Sequence, residues 1–99
     1  MRRIIYFHGL ESKQGGERID YMTRKYLVHA PCMVYAEKDT WTVSKEKVDT
    51  NIPDMIVGSS MGGLMGLFTG YKHPIKLLLF NPAIDRIPEY IPDWKGDFS

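Results

Sequence analysis

One serine lies in a setting that would make it a nucleophile. Ser60 stands at the centre of Gly58-Ser59-Ser60-Met61-Gly62, which matches the pattern G-x-S-x-G. A short apolar run precedes the pattern and a segment of helical character follows it, which is the strand-turn-helix context of a nucleophile elbow. Side chains on either side of so tight a turn would collide, so glycines flank the serine. The Ser60 hydroxyl would lie over a helix N-terminus that favours developing negative charge, and the chemistry would be acyl transfer.

Other interpretations of this glycine-rich turn stay open. The serine in it could be incidental, or the turn could bind phosphate, although it lacks the Lys-Ser/Thr ending of a P-loop. The segment after the turn repeats glycine at Gly62, Gly66 and Gly70. Each glycine costs up to about 1 kcal/mol against alanine inside a helix. The repeat therefore predicts a helix that lies unusually close to the sheet beneath it.

Four short apolar runs predict the strands that position the turn. They contain β-branched or aromatic residues, as strands buried on both faces do, and they lie at residues 4–7, 33–36, 55–57 and 77–80. Helical character is found between them, at residues 16–29, 42–50 and 61–72. This alternation predicts a single α/β domain over residues 1–99, a three-layer sandwich with a parallel sheet. Residues 81–99 are expected to form an extended or loosely helical tail with one short turn near residues 87–91.

Three segments resemble the α/β-hydrolase superfamily, and in particular the small bacterial esterases of the YqiA/YcfP-like group. They are IIYFHGLES at residues 4–12, GSSMGG at 58–63 and FNPA at 80–83. The resemblance implies a serine esterase with a truncated α/β-hydrolase fold. Its four strands would be strands 3 to 6 of the superfamily's eight, in the order 4-3-5-6. The amides of Leu10 and Met61 would form the oxyanion hole. No metal or organic cofactor is implied, and the substrates would be small-molecule esters or thioesters.

A base for the serine is harder to find. The C-terminal ends of parallel strands share one edge of the sheet, and His8 is the histidine expected there, either as a general base or as a residue that shapes the oxyanion loop. His29 and His73 each follow a predicted helix and belong at the opposite edge. At 1.5 Å per residue, the helix after the turn places His73 on the order of 15–20 Å from Ser60. Asp85 follows the fourth strand and is a candidate acid, or else a solvated loop charge.

Composition narrows the partners and the location. The chain is 43% hydrophobic and 25% charged, with a net charge of +1, and its basic residues are scattered, so nucleic acid and anionic membranes are not expected partners. A single cysteine, Cys32, favours a reducing, cytoplasmic location. Residues 55–71 carry no charge but include five glycines, so we expect a soluble protein rather than a membrane span.

The missing base leaves three interpretations. The chain is a truncated esterase with poor turnover, or it completes its site with a partner such as a second copy of itself, or it is a non-catalytic interaction module. The last two would use the exposed apolar edge that the strand Lys76–Phe80 is expected to present, which pairing would cover. Our main prediction is a Ser60 esterase or thioesterase with an incomplete site. The alternative is the interaction module that dimerises through this edge, and fold resemblance alone does not decide between them.

Overall fold

The computed structural model of the chain describes residues 2–9 and 21–94. Its sheet has four parallel strands in the order β2-β1-β3-β4. The strands are β1 (Arg3–Phe7), β2 (Leu27–His29), β3 (Met55–Ser59) and β4 (Lys76–Phe80). The two central strands are apolar on both faces, so both faces must be covered. The parallel sheet and its strand order are as predicted.

Helices cover both faces of this sheet. The helical elements are α1 (Lys38–Thr50), α2 (Met61–Gly70), a 3-10 turn (Ile84–Arg86) and α3 (Ile87–Tyr90). Side chains of all three α-helices share one core with Phe7 and Ile56 of the central strands. On the opposite face, Ile4, Tyr6 and Val57 pack with Met22, which lies in a helical stretch at residues 21–23. The three-layer α/β architecture is therefore confirmed, and in the described ranges no helix is long and apolar enough to cross a membrane.

The second strand differs from the prediction. Residues 33–36 are not a strand; instead Leu27–His29, predicted as the end of a helix, pairs with Arg3, Ile4 and Ile5 of β1. This outer strand is only partly buried, so it lacks the continuous apolar run of a central strand. Met33 and Tyr35 are buried as predicted strand residues would be. Their burial comes from packing on the helical side of the core, without strand pairing.

The helices predicted at residues 42–50 and 61–72 are present with shifted ends, whereas the helix predicted at 16–29 lies partly outside the described residues and is helical at 21–23 and a strand at Leu27–His29. The first begins at Lys38 rather than near residue 42, because Trp41 and Val48, two turns apart on one face, are the residues it buries. The helix after the serine ends at Gly70, close to the predicted residue 72. A short helix lies within the predicted turn near residues 87–91, and its Ile87 side chain is buried in the core.

The glycine repeat brings α2 close to the sheet, as predicted. A Cβ added at Gly66 would lie 3.0 Å from a methyl carbon of Ile56 and 3.1 Å from one of Leu79. A Cβ added at Gly70 would lie 2.9 Å from a methyl carbon of Leu77. Because β3 and β4 side chains occupy this space, the helix rests directly on the strand that leads into Ser60.

Candidate active site

Ser60 has an unusual backbone conformation. It lies between the end of β3 and the start of α2 with φ 58° and ψ −119°, outside the regions that non-glycine residues normally occupy. Such a conformation costs on the order of 1–3 kcal/mol and persists only where the surroundings enforce it. Here the Ser60 N–H donates to the Phe80 carbonyl at 2.9 Å, and the Ser60 carbonyl accepts from Gly63 at 2.9 Å and Ala83 at 3.2 Å. The end of β4 and the loop after it thus fix the turn.

The flanking glycines are required by close backbone contacts. A Cβ at Gly58 would overlap the Gly62 carbonyl oxygen and lie 2.6 Å from its carbonyl carbon. A Cβ at Gly62 would overlap the Phe7 carbonyl oxygen and lie 2.6 Å from that of His8. In both cases the obstacle is backbone, which cannot rotate away. The turn is therefore as tight as the sequence predicts, and it packs directly on the end of β1.

The Ser60 side chain is exposed at the start of α2. Among the described residues its hydroxyl has no hydrogen-bond partner, and the Met61 N–H next to it has no acceptor. Amides of a helix N-terminus point along the helix axis and favour negative charge. Met61 thus keeps a free donor beside the hydroxyl, as the predicted oxyanion role requires. Leu10, the other predicted donor, lies outside the described residues.

His8 follows β1 and is buried, with 5% of its surface exposed. Its Nε2 accepts the Met33 N–H at 3.0 Å, and its Nδ1 lies 2.7 Å from the Gly9 carbonyl oxygen. A backbone N–H can only donate, so Nε2 carries the lone pair and Nδ1 carries the proton that is donated to Gly9. Both ring nitrogens are therefore occupied. This geometry favours the predicted loop-shaping role of His8 over the role of general base.

Two aromatic residues hold the His8 loop, and the sequence analysis did not single them out. The Tyr35 hydroxyl donates to the His8 carbonyl, and the Trp41 indole N–H donates to the Tyr35 carbonyl at 3.0 Å. Burial raises the pKa of the Tyr35 hydroxyl above its ordinary value, which keeps it protonated as a donor. Tyr35 and Trp41 therefore connect α1 to the loop beside Ser60. The sequence signal for this segment was the apolar run at residues 33–36, which was interpreted as a strand.

The two other histidines lie far from Ser60. His29 is at the C-terminal end of β2, not at the opposite edge as predicted, because residues 27–29 form a strand. In the sheet register His29 pairs with Ile5, which pairs in turn with Ile56. Two strand spacings across the sheet and four residues along β3 therefore separate His29 from Ser60, a distance on the order of 15 Å. His73 lies at the opposite edge, as predicted, where its Nε2 is 2.6 Å from Asp49.

Asp85 lies in the 3-10 turn after β4 and is exposed. It belongs to the loop after β4, which is held to the turn by the hydrogen bond from the Ala83 N–H to the Ser60 carbonyl. No histidine in the described part of the chain is bonded to it. The described residues also include no group of three or more His, Cys, Asp or Glu side chains arranged to hold a metal. What the site brings together is a serine hydroxyl, a helix N-terminus and a loop held by buried aromatic residues.

A comparison with protein families matches residues 3–92 to the Uncharacterised protein family (UPF0227). The match includes the Ser60 turn, the His8 loop and the segment after β4. Comparisons with curated proteins and with solved structures gave no match.

Proposed function

The chain belongs to the Uncharacterised protein family (UPF0227), and we propose that this member is a serine hydrolase of the α/β-hydrolase superfamily that acts on carboxylic esters or thioesters. The observation that carries the proposal is the positive φ of Ser60 at a strand-to-helix turn so tight that Gly58 and Gly62 leave no room for a Cβ. A strained, exposed serine at this place is what a nucleophile elbow requires. The parallel sheet order agrees with the same superfamily. The lone Cys32 supports a cytoplasmic location.

In the proposed reaction, the Ser60 oxygen attacks the ester carbonyl. The carbonyl oxygen becomes negative in the tetrahedral intermediate and accepts the Met61 N–H, together with the field of α2. The C–O or C–S bond to the leaving group then breaks and leaves an acyl-Ser60, which water hydrolyses. Because no histidine of the described residues reaches Ser60, the serine proton passes to solvent water, and the alkoxide or thiolate that leaves takes up a proton from water in turn. Without a base, acylation and turnover would both be slow, and acylation would be measurable with reactive esters because the Met61 amide still stabilises the oxyanion.

Covalent labelling tests the proposal. The folded chain is treated with a fluorophosphonate, which phosphonylates activated serines, and the adduct is measured by intact mass. We expect labelling in the wild type and in Ser59→Ala, and none in Ser60→Ala. Ser59 is the matched control because it is the adjacent serine, but it lies at the end of β3 and is half-buried. Equal labelling of the Ser60→Ala chain would contradict the proposal.

One observation favours the interaction module as a second candidate. β4 is an outer strand of the described sheet, and on its face away from α2 Leu78 and Phe80 are 46% and 37% exposed. An apolar edge strand is a template for pairing with another chain. Light scattering would show a dimer that Leu78→Lys dissociates, since the lysine would place a charge on this face. A wild-type monomer at high micromolar concentration would contradict this candidate.

A further inference from the structure

Arg86 contacts Met61, the residue that follows the proposed nucleophile. It follows β4 in the 3-10 turn, three residues after Ala83, whose N–H donates to the Ser60 carbonyl. Its Nη1 lies 3.8 Å from the sulfur of Met61, the residue directly after Ser60. The side chain is 42% exposed. A partly exposed cationic group therefore contacts the side chain of the first residue of α2, the helix whose N-terminus would receive the reacting carbonyl.

The other atoms of the guanidinium are held in place. Glu89 accepts from Nε at 3.1 Å and from Nη2 at 2.8 Å, and the Tyr90 ring lies 5.7 Å from the guanidinium carbon. Tyr90 in turn stacks on the buried Trp41, with ring centroids 3.9 Å apart. A planar guanidinium whose Nε and Nη2 are already held loses little conformational entropy when its remaining N–H donors bind a ligand. The orientation of Arg86 therefore depends on the same aromatic residues that hold the site.

The Nη1 group of Arg86 has no strong acceptor among the described residues. In the described part of the chain, the acceptor of Nη1 is the Met61 thioether, and sulfur is a weak acceptor. The ion pair with Glu89 joins exposed residues three apart on one turn, and such pairs contribute about 0–1 kcal/mol. A second carboxylate could therefore bind at Nη1 or replace Glu89 at little cost.

We propose that Arg86 determines substrate specificity by binding a carboxylate carried by the ester substrate, so that the site takes half-esters of dicarboxylic acids. This inference rests on the proposed function, because it names the substrate class of the Ser60 site. Charge-assisted hydrogen bonds from a guanidinium fork match the planar carboxylate in geometry. A neutral ester of the same length would lose this contact and bind more weakly.

Ligand binding tests the inference without requiring turnover. The Ser60→Ala chain is titrated with monomethyl succinate and with dimethyl succinate, which differ only in the free carboxylate. NMR shifts are followed at the Met61 amide and at the Arg86 Nε–H. We expect the half-ester to bind about threefold to fivefold more tightly, which corresponds to about 0.6–1 kcal/mol, the upper part of what an exposed ion pair contributes. Adding Arg86→Gln should remove this preference.

The matched control is Lys76→Gln, which removes one positive charge at the first residue of β4, the opposite edge of the sheet. It should keep the preference for the half-ester. Equal binding of the two esters, or a preference that Arg86→Gln leaves intact, would overturn the inference and leave the labelling of Ser60 standing. Preferential binding of the half-ester by a chain whose Ser60 is never labelled would instead overturn the proposed function and leave Arg86 as a carboxylate-binding residue.

Discussion

Replacing Gly62 by alanine has two opposing effects on the free energy of unfolding, a gain from helix propensity and a loss from steric overlap. Inside a helix alanine is favoured over glycine by about 1 kcal/mol, so propensity alone predicts a stabilised chain. The structure predicts the opposite, because the new methyl group would overlap the Phe7 carbonyl oxygen and lie 2.6 Å from that of His8. Overpacking a well-packed site costs about 1–3 kcal/mol. Because both obstacles are backbone at the end of β1, the cost should be at the upper end.

The expected net loss for Gly62→Ala is about 2 kcal/mol or more in the free energy of unfolding, after the gain from helix propensity. With a urea m-value of about 1–3 kcal/mol/M, the unfolding midpoint should fall by about 1 M. The assay is urea unfolding monitored by circular dichroism. The m-values of the variants are compared to check that each exposes the same amount of surface on unfolding.

Gly66→Ala is the matched control on the same helix. Its added methyl group would meet side-chain methyl carbons of Ile56 and Leu79 at 3.0 and 3.1 Å, and these can shift by a few tenths of an ångström. The gain in propensity offsets that adjustment, so the change should stay within about 1 kcal/mol. A Gly62→Ala chain as stable as the wild type, or equal in stability to Gly66→Ala, would refute the description of the turn.

Three further predictions concern the groups around the site and at the opposite edge. Tyr35→Phe leaves the buried His8 carbonyl without this donor and should cost about 1–3 kcal/mol in urea unfolding; an unchanged midpoint would contradict the contact. Nitrogen-15 NMR should find His8 as the Nδ1–H tautomer, whereas a proton on Nε2 would show that the Met33 amide does not bind there. The hydrogen bond from His73 lowers the pKa of the Asp49 carboxyl, so the stabilisation is present above the ordinary carboxyl pKa of 3.8 and is lost as the pH falls through the lowered value. NMR titration should show the Asp49 pKa rising in His73→Ala, and an equal pKa in both chains would contradict the pairing.

The turn around Ser60 is predictable from the sequence because part of what it requires is local. A Cβ at Gly58 would collide with the backbone of Gly62, four residues further on, whereas a Cβ at Gly62 would collide with the end of β1, which only the fold reveals. The parallel sheet follows from short apolar runs that alternate with helices, whereas the strand order was implied by the resemblance to the α/β-hydrolase superfamily. The close approach of α2 to the sheet is likewise visible in the repeat of Gly66 and Gly70.

The second strand and the His8 loop depend on contacts that no local pattern reveals. Leu27–His29 is a partly buried edge strand that forms backbone hydrogen bonds with β1. In the more apolar run at residues 33–36, by contrast, the Met33 N–H donates to the His8 ring. Arg86 was unremarkable in the sequence, since its position near Met61 arises from the turn after β4. Side chains that meet across elements distant in sequence are visible only in the folded chain.

The rate of fluorophosphonate labelling at Ser60, compared between folded and urea-unfolded chain, tests the central claim most directly. The folded chain has an exposed hydroxyl on a strained turn beside the free amide of Met61, and unfolding removes that setting. Labelling at least tenfold faster in the folded chain, mapped to Ser60 by peptide mass spectrometry, is the predicted result. Equal rates in the two states, or an adduct on another residue, would contradict the claim that the fold makes Ser60 a nucleophile.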